Sequence, residues 1–300
     1  MSCIPSSATF AAQVVADRIE TVKVCTTRNE LALALAETSG TRALVMTMGA
    51  LHDGHAQLLK AARAQADTVV ASVYVNPLQF GPNEDYEAYP RPVEADVALL
   101  ESEGVDVAFL PTDEDIYPRT PLVRIDPGPV ATILEGATRP GHFAGVLQIV
   151  HKVFNLVHPD MAYFGQKDAQ QLALVRTMVD DLNMGIDIRP VPIKRDESGL
   201  ALSSRNSYLS EAERQQALAL SSALRHGREL AEAGAGVAEV RESVRGELVG
   251  AEGVRLDYLH LVDPATFQQM DDNAHGEGLL VTAAYVGSTR LIDNMEVTIR

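Results

Sequence analysis

Short apolar runs of strand length alternate with helical stretches from about Ile19 to Val191, and nothing else constrains the fold of this chain as much. Thr27-Arg28-Asn29-Glu30 has capping-box spacing and opens a helical run through Leu31, Leu33 and Leu35 that Gly40 ends. Ala43–Met48 is an apolar strand candidate, His55–Ala66 reads as helix, Thr68–Val75 as a β-branched strand, Val93–Ser102 as helix and Val105–Leu110 as strand. Phe143–Val157, Met161–Phe164, Ala169–Leu182 and Ile186–Val191 continue the alternation. Continuous apolar strands separated by helices predict a parallel sheet covered on both faces. The fold expected is therefore α/β, a doubly wound, Rossmann-like domain that binds ligands beyond the carboxyl ends of its strands.

After Pro192 the texture changes. Helices are predicted over Glu211–Ala233 and Val237–Leu248, then strands over Arg255–Val262, Leu279–Ala284 and Thr289–Val297. The expected organisation is an N-terminal extension (1–18), a Rossmann-like domain (19–193) and a smaller C-terminal α+β domain (194–300) that acts as a lid.

Composition narrows the partners. The formal net charge is -16 and the pI about 4.9, so phosphate backbones and anionic lipid are repelled; neither nucleic acid nor membrane is an expected partner. A site for an anionic small molecule must gather cations locally. From Arg139 to Arg205, eight Lys/Arg face seven Asp/Glu, a balance of +1 against -17 for the remainder. The two cysteines, Cys3 and Cys25, form no C-x-x-C pattern and fit a reducing cytosol. No apolar run approaches the roughly 20 residues that span a bilayer, and Met1–Arg18 lacks the basic start of a signal peptide. A cytoplasmic location is expected.

The strand candidate Ala43–Met48 runs into Thr47-Met48-Gly49-Ala50-Leu51-His52-Asp53-Gly54-His55, with a helix following. Backbone N–H groups at a helix start face anions, and Gly49 and Gly54 leave room for a nucleotide to approach the backbone. His52 and His55 offer hydrogen bonds to phosphate oxygens, and an imidazole can hold a proton near neutral pH. Donors fixed around a phosphorus under in-line attack lower the barrier. Alone, His-x-Gly-His is equally a loop with two part-exposed histidines, or half of a metal site. No third ligand stands at a suggestive spacing, and no Gly-Lys-Ser/Thr follows as in a Walker A loop. Strand before and helix after favour the nucleotide.

Phe164-Gly165-Gln166-Lys167-Asp168 ends another apolar strand and opens a helix carrying Gln170 and Gln171. One lysine at 4 Å is worth about 4 kcal/mol at an effective dielectric near 20, so several donors must converge to hold a triphosphate. In isolation this segment reads as a surface turn. Gly199-Leu200-Ala201-Leu202-Ser203-Ser204-Arg205-Asn206 offers two hydroxyls and a guanidinium, either a mobile phosphate clamp or an N-cap with a solvated loop. Asn76-Pro77-Leu78-Gln79-Phe80 starts the long loop to Pro92 and points Gln79 toward a substrate pocket. Arg139-Pro140-Gly141-His142-Phe143 sets a cation and an imidazole before a helix. Each of these last two reads as structural when taken alone.

In this order and spacing the segments resemble the pantothenate synthetase (pantoate–β-alanine ligase) family from about Ile19 to Arg300. The His-x-Gly-His element is shared by the wider nucleotidylyltransferase superfamily; Asn-Pro-x-Gln-Phe, Gly-x-Lys-Asp-x-x-Gln and Leu-Ser-Ser-Arg-Asn make the resemblance specific. It implies that Met48 to His55 bind ATP, with His55 in the proton donor's position. It implies further ATP contacts at Gly165, Gln166, Lys167, Asp168, Lys194, Leu202, Ser203, Ser204 and Arg205. Gln79 would contact pantoate and β-alanine, and Gln171 pantoate, with Asn76, Arg139 and His142 as further substrate-side candidates. His52, His55, Lys167, Ser203, Ser204 and Arg205 would carry catalysis, the last three in place of the Lys-Met-Ser-Lys-Ser loop of related adenylating enzymes. The implied reaction forms pantoyl adenylate and pyrophosphate from Mg-ATP, then displaces AMP with the β-alanine amine. Mg2+ travels on the nucleotide phosphates, no metal is held by the protein alone, and no enzyme nucleophile is needed. A homodimer is implied. Three positions depart from the family pattern: Met46 for a usual Pro, Gln166 for a usual Glu, and Lys194 where an apolar residue is common.

Overall fold

The computed structural model describes residues 21–82 and 84–300; the expected extension (1–18) and Cys3 lie outside the described residues. Six strands, β1 (Lys23–Cys25), β2 (Arg42–Thr47), β3 (Thr68–Val73), β4 (Val107–Phe109), β5 (Met161–Gly165) and β6 (Asp187–Val191), form a parallel sheet in the order β1-β4-β3-β2-β5-β6. The strand period of two explains how the sheet is covered on both sides. Leu44, Val70, Val107, Phe109, Ala162 and Phe164 join one core with helices α1 (Arg28–Ala36), α4 (His142–Val157) and α5 (Ala169–Asp181). Their neighbours Ala43, Val45, Val69, Ala71, Ala108 and Tyr163 join another with α2 (Asp53–Arg63) and α3 (Val93–Ser102). Leu44, Leu59 and Phe109 are fully buried, each such side chain contributing about 1.5–3 kcal/mol.

The doubly wound fold is as expected, and its topology places the site. From β2 the chain moves outward through β3 to β4; it returns to lay β5 beside β2 in parallel register, Ala43 opposite Met161. The strand order reverses between β2 and β5. The crevice at their carboxyl ends is therefore bounded by the two Gly-containing segments that follow them.

Two local differences from the sequence reading matter. The edge strand β1 is only three residues long and has too little apolar pattern to stand out. Helix α2 begins at Asp53 rather than His55, because His52 is its N-cap.

The chain then forms α6 (Glu211–Glu232), α7 (Val237–Gly250), and an antiparallel sheet β7 (Val254–Val262), β8 (Gly276–Val286), β9 (Thr289–Ile299) in that order. One face, with Leu280, Ala284, Leu291 and Val297, packs on α6 and α7. The other, with Val262, Leu279 and Val281, packs on Ala173 of α5 and on Val130 and Leu134. Among the described residues no helix is long and apolar enough to cross a membrane.

Candidate active site

The loop after β2 is held from within. Gly49 and Ala50 both have positive φ (+87° and +50°), a costly geometry for alanine. The Ala50 and Leu51 N–H groups donate to the two carboxylate oxygens of Asp96 at 3.0 and 2.7 Å. Asp96 is 2% exposed on α3, and burial raises its pKa against those two hydrogen bonds. These two amides thus serve the protein's own carboxylate and are not donors to an incoming phosphate.

The α2 N-terminus is capped by imidazoles. His52 Nδ1 accepts the Gly54 N–H at 3.1 Å, and His55 Nδ1 accepts the His52 N–H at 3.2 Å, a capping box built from two histidines. A Cβ on Gly54 would stand 2.9 Å from His52 Cε1, so only glycine fits beneath that ring. Both Nδ1 atoms being acceptors, each neutral ring carries its hydrogen on Nε2. Burial, then His52 and Lys167, lowers His55 to about 3, although its ring keeps some contact with the cavity. Burial and Lys167 lower His52 too, against Asp53 and Asp168. The rings, with centroids 4.1 Å apart, therefore act as neutral Nε2–H donors and not as imidazolium ions at pH 7. Burial thus works against a proton stored on either ring.

Across the crevice, the turn after β5 presents Lys167 and Asp168. Among the described residues no hydrogen bond or ion pair holds the Lys167 ammonium or the Gln171 amide. Gln166 turns away, and its amide donates to Glu296 at 2.8 Å. The family's usual glutamate would there face a like charge, so this departure is matched by its partner. From the hairpin beyond β6, Ser204 Oγ meets Tyr89 Oη at 3.2 Å and Arg205 pairs with Asp85 at 3.0 Å. Lys194 is exposed; its carbonyl accepts the Leu202 N–H at 2.9 Å.

The substrate-side candidates form a packed turn. Asn76 Nδ2 donates to Gln79 Oε1 and to the Gly145 carbonyl, both at 3.0 Å, and Gln79 Nε2 donates to Met48 Sδ at 3.0 Å. A Cβ on Gly145 would lie 2.1 Å from the Leu78 carbonyl oxygen, so α4 meets this turn only through glycine. The Arg139 guanidinium donates to His142 Nε2 at 3.0 Å; His142 Nδ1–H donates to the Gln79 carbonyl at 2.8 Å. His142 is thus the opposite tautomer to His52 and His55, and burial with Arg139 lowers it to about 4. Arg139 also forms an ion pair with Glu84.

One cleft of about 240 Å3 is lined by Met48, His52, Gly54, His55, Gln79, Arg139, His142, Gly165, Lys167, Asp168, Gln171, Lys194, Leu202, Ser203, Ser204 and Arg205. A second, of about 650 Å3, adjoins it across Lys167, Gln171 and Arg205 and runs between the two sheets to Tyr258 and Arg290. Gly49, Ala50, Leu51, Asp53, Asn76 and Gln166 line neither cavity. Asn76, 1% exposed, instead braces the cleft wall through Gln79, Gly145 and Tyr117. Sequence reasoning did not single out Asp96, Tyr89, Glu84 or Asp85; the density of acidic residues in the Asn76–Pro92 loop was the only trace of Glu84 and Asp85. Among the described residues no three His, Cys, Asp or Glu side chains cluster as a metal cage.

The pantoate-β-alanine ligase family model matches residues 20–296. The pantothenate synthetase of Acidothermus cellulolyticus is 52% identical over 275 residues, covering 91% of this chain and 90% of that one. The crystal structure of the Thermus thermophilus pantothenate synthetase superposes with a TM-score of 0.88 at 45% identity, over 92% of this chain and all of the other. The Francisella tularensis pantoate-β-alanine ligase, solved in complex with β-γ ATP and β-alanine, gives a TM-score of 0.76 at 34% identity, over 91% and 97%. A match this long, with a crevice built at the strand reversal, means that the chain belongs to the pantoate-β-alanine ligase family.

Proposed function

We propose that the crevice between β2 and β5 is where this chain joins pantoate to β-alanine at the expense of ATP. The observation that carries the reading is convergence. Two neutral imidazole donors, a lysine without a partner among the described residues, two hydroxyls and an arginine, drawn from three distant segments, line one cleft together with Gln79 and Gln171.

In the first step a pantoate carboxylate oxygen attacks the α-phosphorus of Mg-ATP; the bond from that phosphorus to the bridging oxygen breaks, and pyrophosphate leaves. His52 and His55 donate through Nε2 to phosphate oxygens as charge develops, and Lys167 with Ser203, Ser204 and Arg205 neutralises the departing pyrophosphate. The two imidazoles, already fixed by the cap, need no reorganisation at the moment of reaction. Magnesium enters with the nucleotide, held mainly by phosphates and water. Asp168 is the carboxylate in the cleft nearest in sequence to Lys167.

In the second step the neutral β-alanine amine attacks the acyl carbon, the bond from that carbon to the phosphate oxygen breaks, AMP leaves, and the amine loses a proton. Gln79, fixed by Asn76 and Met48, and Gln171 hold pantoate for both steps. Residues 194–300 act as a lid that keeps water from the adenylate. The test is amide formation from pantoate, β-alanine and Mg-ATP, with AMP release that needs both organic substrates. Retention of the nucleoside monophosphate in the product would instead indicate a nucleotidylyltransferase.

A further inference from the structure

Two adjacent residues of β9, Asp293 and Asn294, belong to none of the motifs above, yet both are polar and nearly inaccessible, 5% and 6% exposed. Burying such groups is costly unless they are bonded, so their partners are informative. Neighbours on a strand face opposite sides of the sheet. Asp293 lies opposite Thr282, on the helix-covered face; Asn294 lies opposite Val281, on the face that packs against Ala173 of α5.

Each side chain bonds a different segment of the nucleotide site. The two amide hydrogens of Asn294 have two acceptors, the carbonyl oxygens of Gln166 and Lys167, both at 2.9 Å. The Asp293 carboxylate accepts a bidentate pair from Arg195 at 2.7 and 2.9 Å. Arg195 also donates to the Gly199 carbonyl at 3.2 Å and forms a bridge with Ala201, closing the hairpin that delivers Leu202 to Arg205. One strand of the second sheet thus ties down the Lys167 turn and the Ser203–Arg205 arm from its two faces.

The geometry points to Asn294 as a positioning residue for adenylation: it fixes the Gln166–Lys167 backbone so that the Lys167 ammonium meets the nucleotide phosphates, while Asp293 holds the Ser203–Arg205 arm through Arg195. This rests on the role given to Lys167 above. It implies that both arms depend on the second sheet for their placement.

The experiment is a double-mutant cycle on the full chain, with Asn294→Asp, Lys167→Ala and the pair. Asn294→Asp keeps the shape and removes the amide, so that at most one of the two carbonyls keeps a donor. Mg-ATP affinity is read by calorimetry, pantoate-dependent ATP–pyrophosphate exchange reports the first step, and aminolysis of added pantoyl adenylate reports the second. Asn294→Asp is expected to weaken Mg-ATP binding and exchange by about tenfold or more, while aminolysis changes by less than about twofold. In the Lys167→Ala background the same change should alter Mg-ATP affinity by less than about twofold, because its route of action is gone. Equal losses in both backgrounds overturn the proposal, as does wild-type affinity in Asn294→Asp. Wild-type binding and exchange in Lys167→Ala alone would remove the role of Lys167 and the proposal with it, an outcome visible before the cycle is closed. Should Asn294→Asp not fold, Asn294→Ala carries the same comparison.

Discussion

Acid should unfold this protein through its own site. His55 and His142 fall from an ordinary 6.5 to about 3 and about 4, both because burial disfavours the charged ring. A base whose pKa is depressed by folding is protonated first in the unfolded chain. Its contribution is complete above pH 6.5, falls as pH drops through the window down to the folded value, and is flat below it. At pH 4.5 each ring is two units below its unfolded value and still neutral when folded, which costs about 2.7 kcal/mol apiece. Roughly 5 kcal/mol together is an upper bound, since the His55 ring keeps some contact with the cavity, but it rivals the ~5–15 kcal/mol that holds a domain together.

The assay is urea denaturation at half-unit steps from pH 7 to pH 4.5, for wild type and for His55→Gln. A glutamine at the third position of α2 still accepts the His52 N–H, so the capping box survives while the titration disappears. The variant should lose up to about 1.4 kcal/mol per pH unit of slope between pH 6 and pH 4. An unchanged slope, or a ring at position 55 that titrates near its ordinary value by nitrogen NMR, would refute the reasoning. The same spectra should show the hydrogen on Nε2 for His52 and His55 and on Nδ1 for His142.

Three other perturbations follow from contacts around the cleft. Asp85→Asn frees Arg205 from an ion pair that a phosphate must displace, so Mg-ATP should bind about fivefold more tightly by calorimetry, a gain of ~1 kcal/mol. Gly145→Ala drives a methyl into the Leu78 carbonyl, and should cost about 1–3 kcal/mol in denaturation midpoints while raising KM for pantoate through the displaced Gln79 turn. Asp96→Asn can satisfy only one of the Ala50 and Leu51 amides, and should cost about 1–3 kcal/mol and raise KM for ATP.

The architecture was legible because its signals are local. A continuous apolar strand, a capping threonine with a glutamate three residues on, and the change of texture after Pro192 each need only a short window. The Thr27–Glu30 capping box forms as read, and Val93–Ser102 has the predicted ends. What escaped depends on partners far along the chain. His52 resembles no usual N-cap, since an imidazole caps only when its Nδ1 is free to accept, and that is fixed by the fold around it. Asp96 reads as one more acidic residue on a surface helix until β2 brings Ala50 and Leu51 over it. Glu84 and Asp85 look like solvated loop charges, yet they pair with Arg139 and Arg205.

Those pairs bear on how so acidic a chain binds a triphosphate. Two of the cleft's cations are already neutralised by carboxylates of the Asn76–Pro92 loop, which leaves Lys167 and the exposed Lys194 as cleft cations without a side-chain partner among the described residues. On the proposed reading Arg139 and Arg205 must release an anion before they accept one. Part of the binding energy is therefore spent on displacing Glu84 and Asp85, and an anion that engages only one arginine recovers less of it than substrates that fill both places. Free phosphate should bind poorly to such a site, and Mg-ATP with pantoate better together than separately. The acidic loop would then favour the pair of reactants over the many smaller anions that share their chemistry.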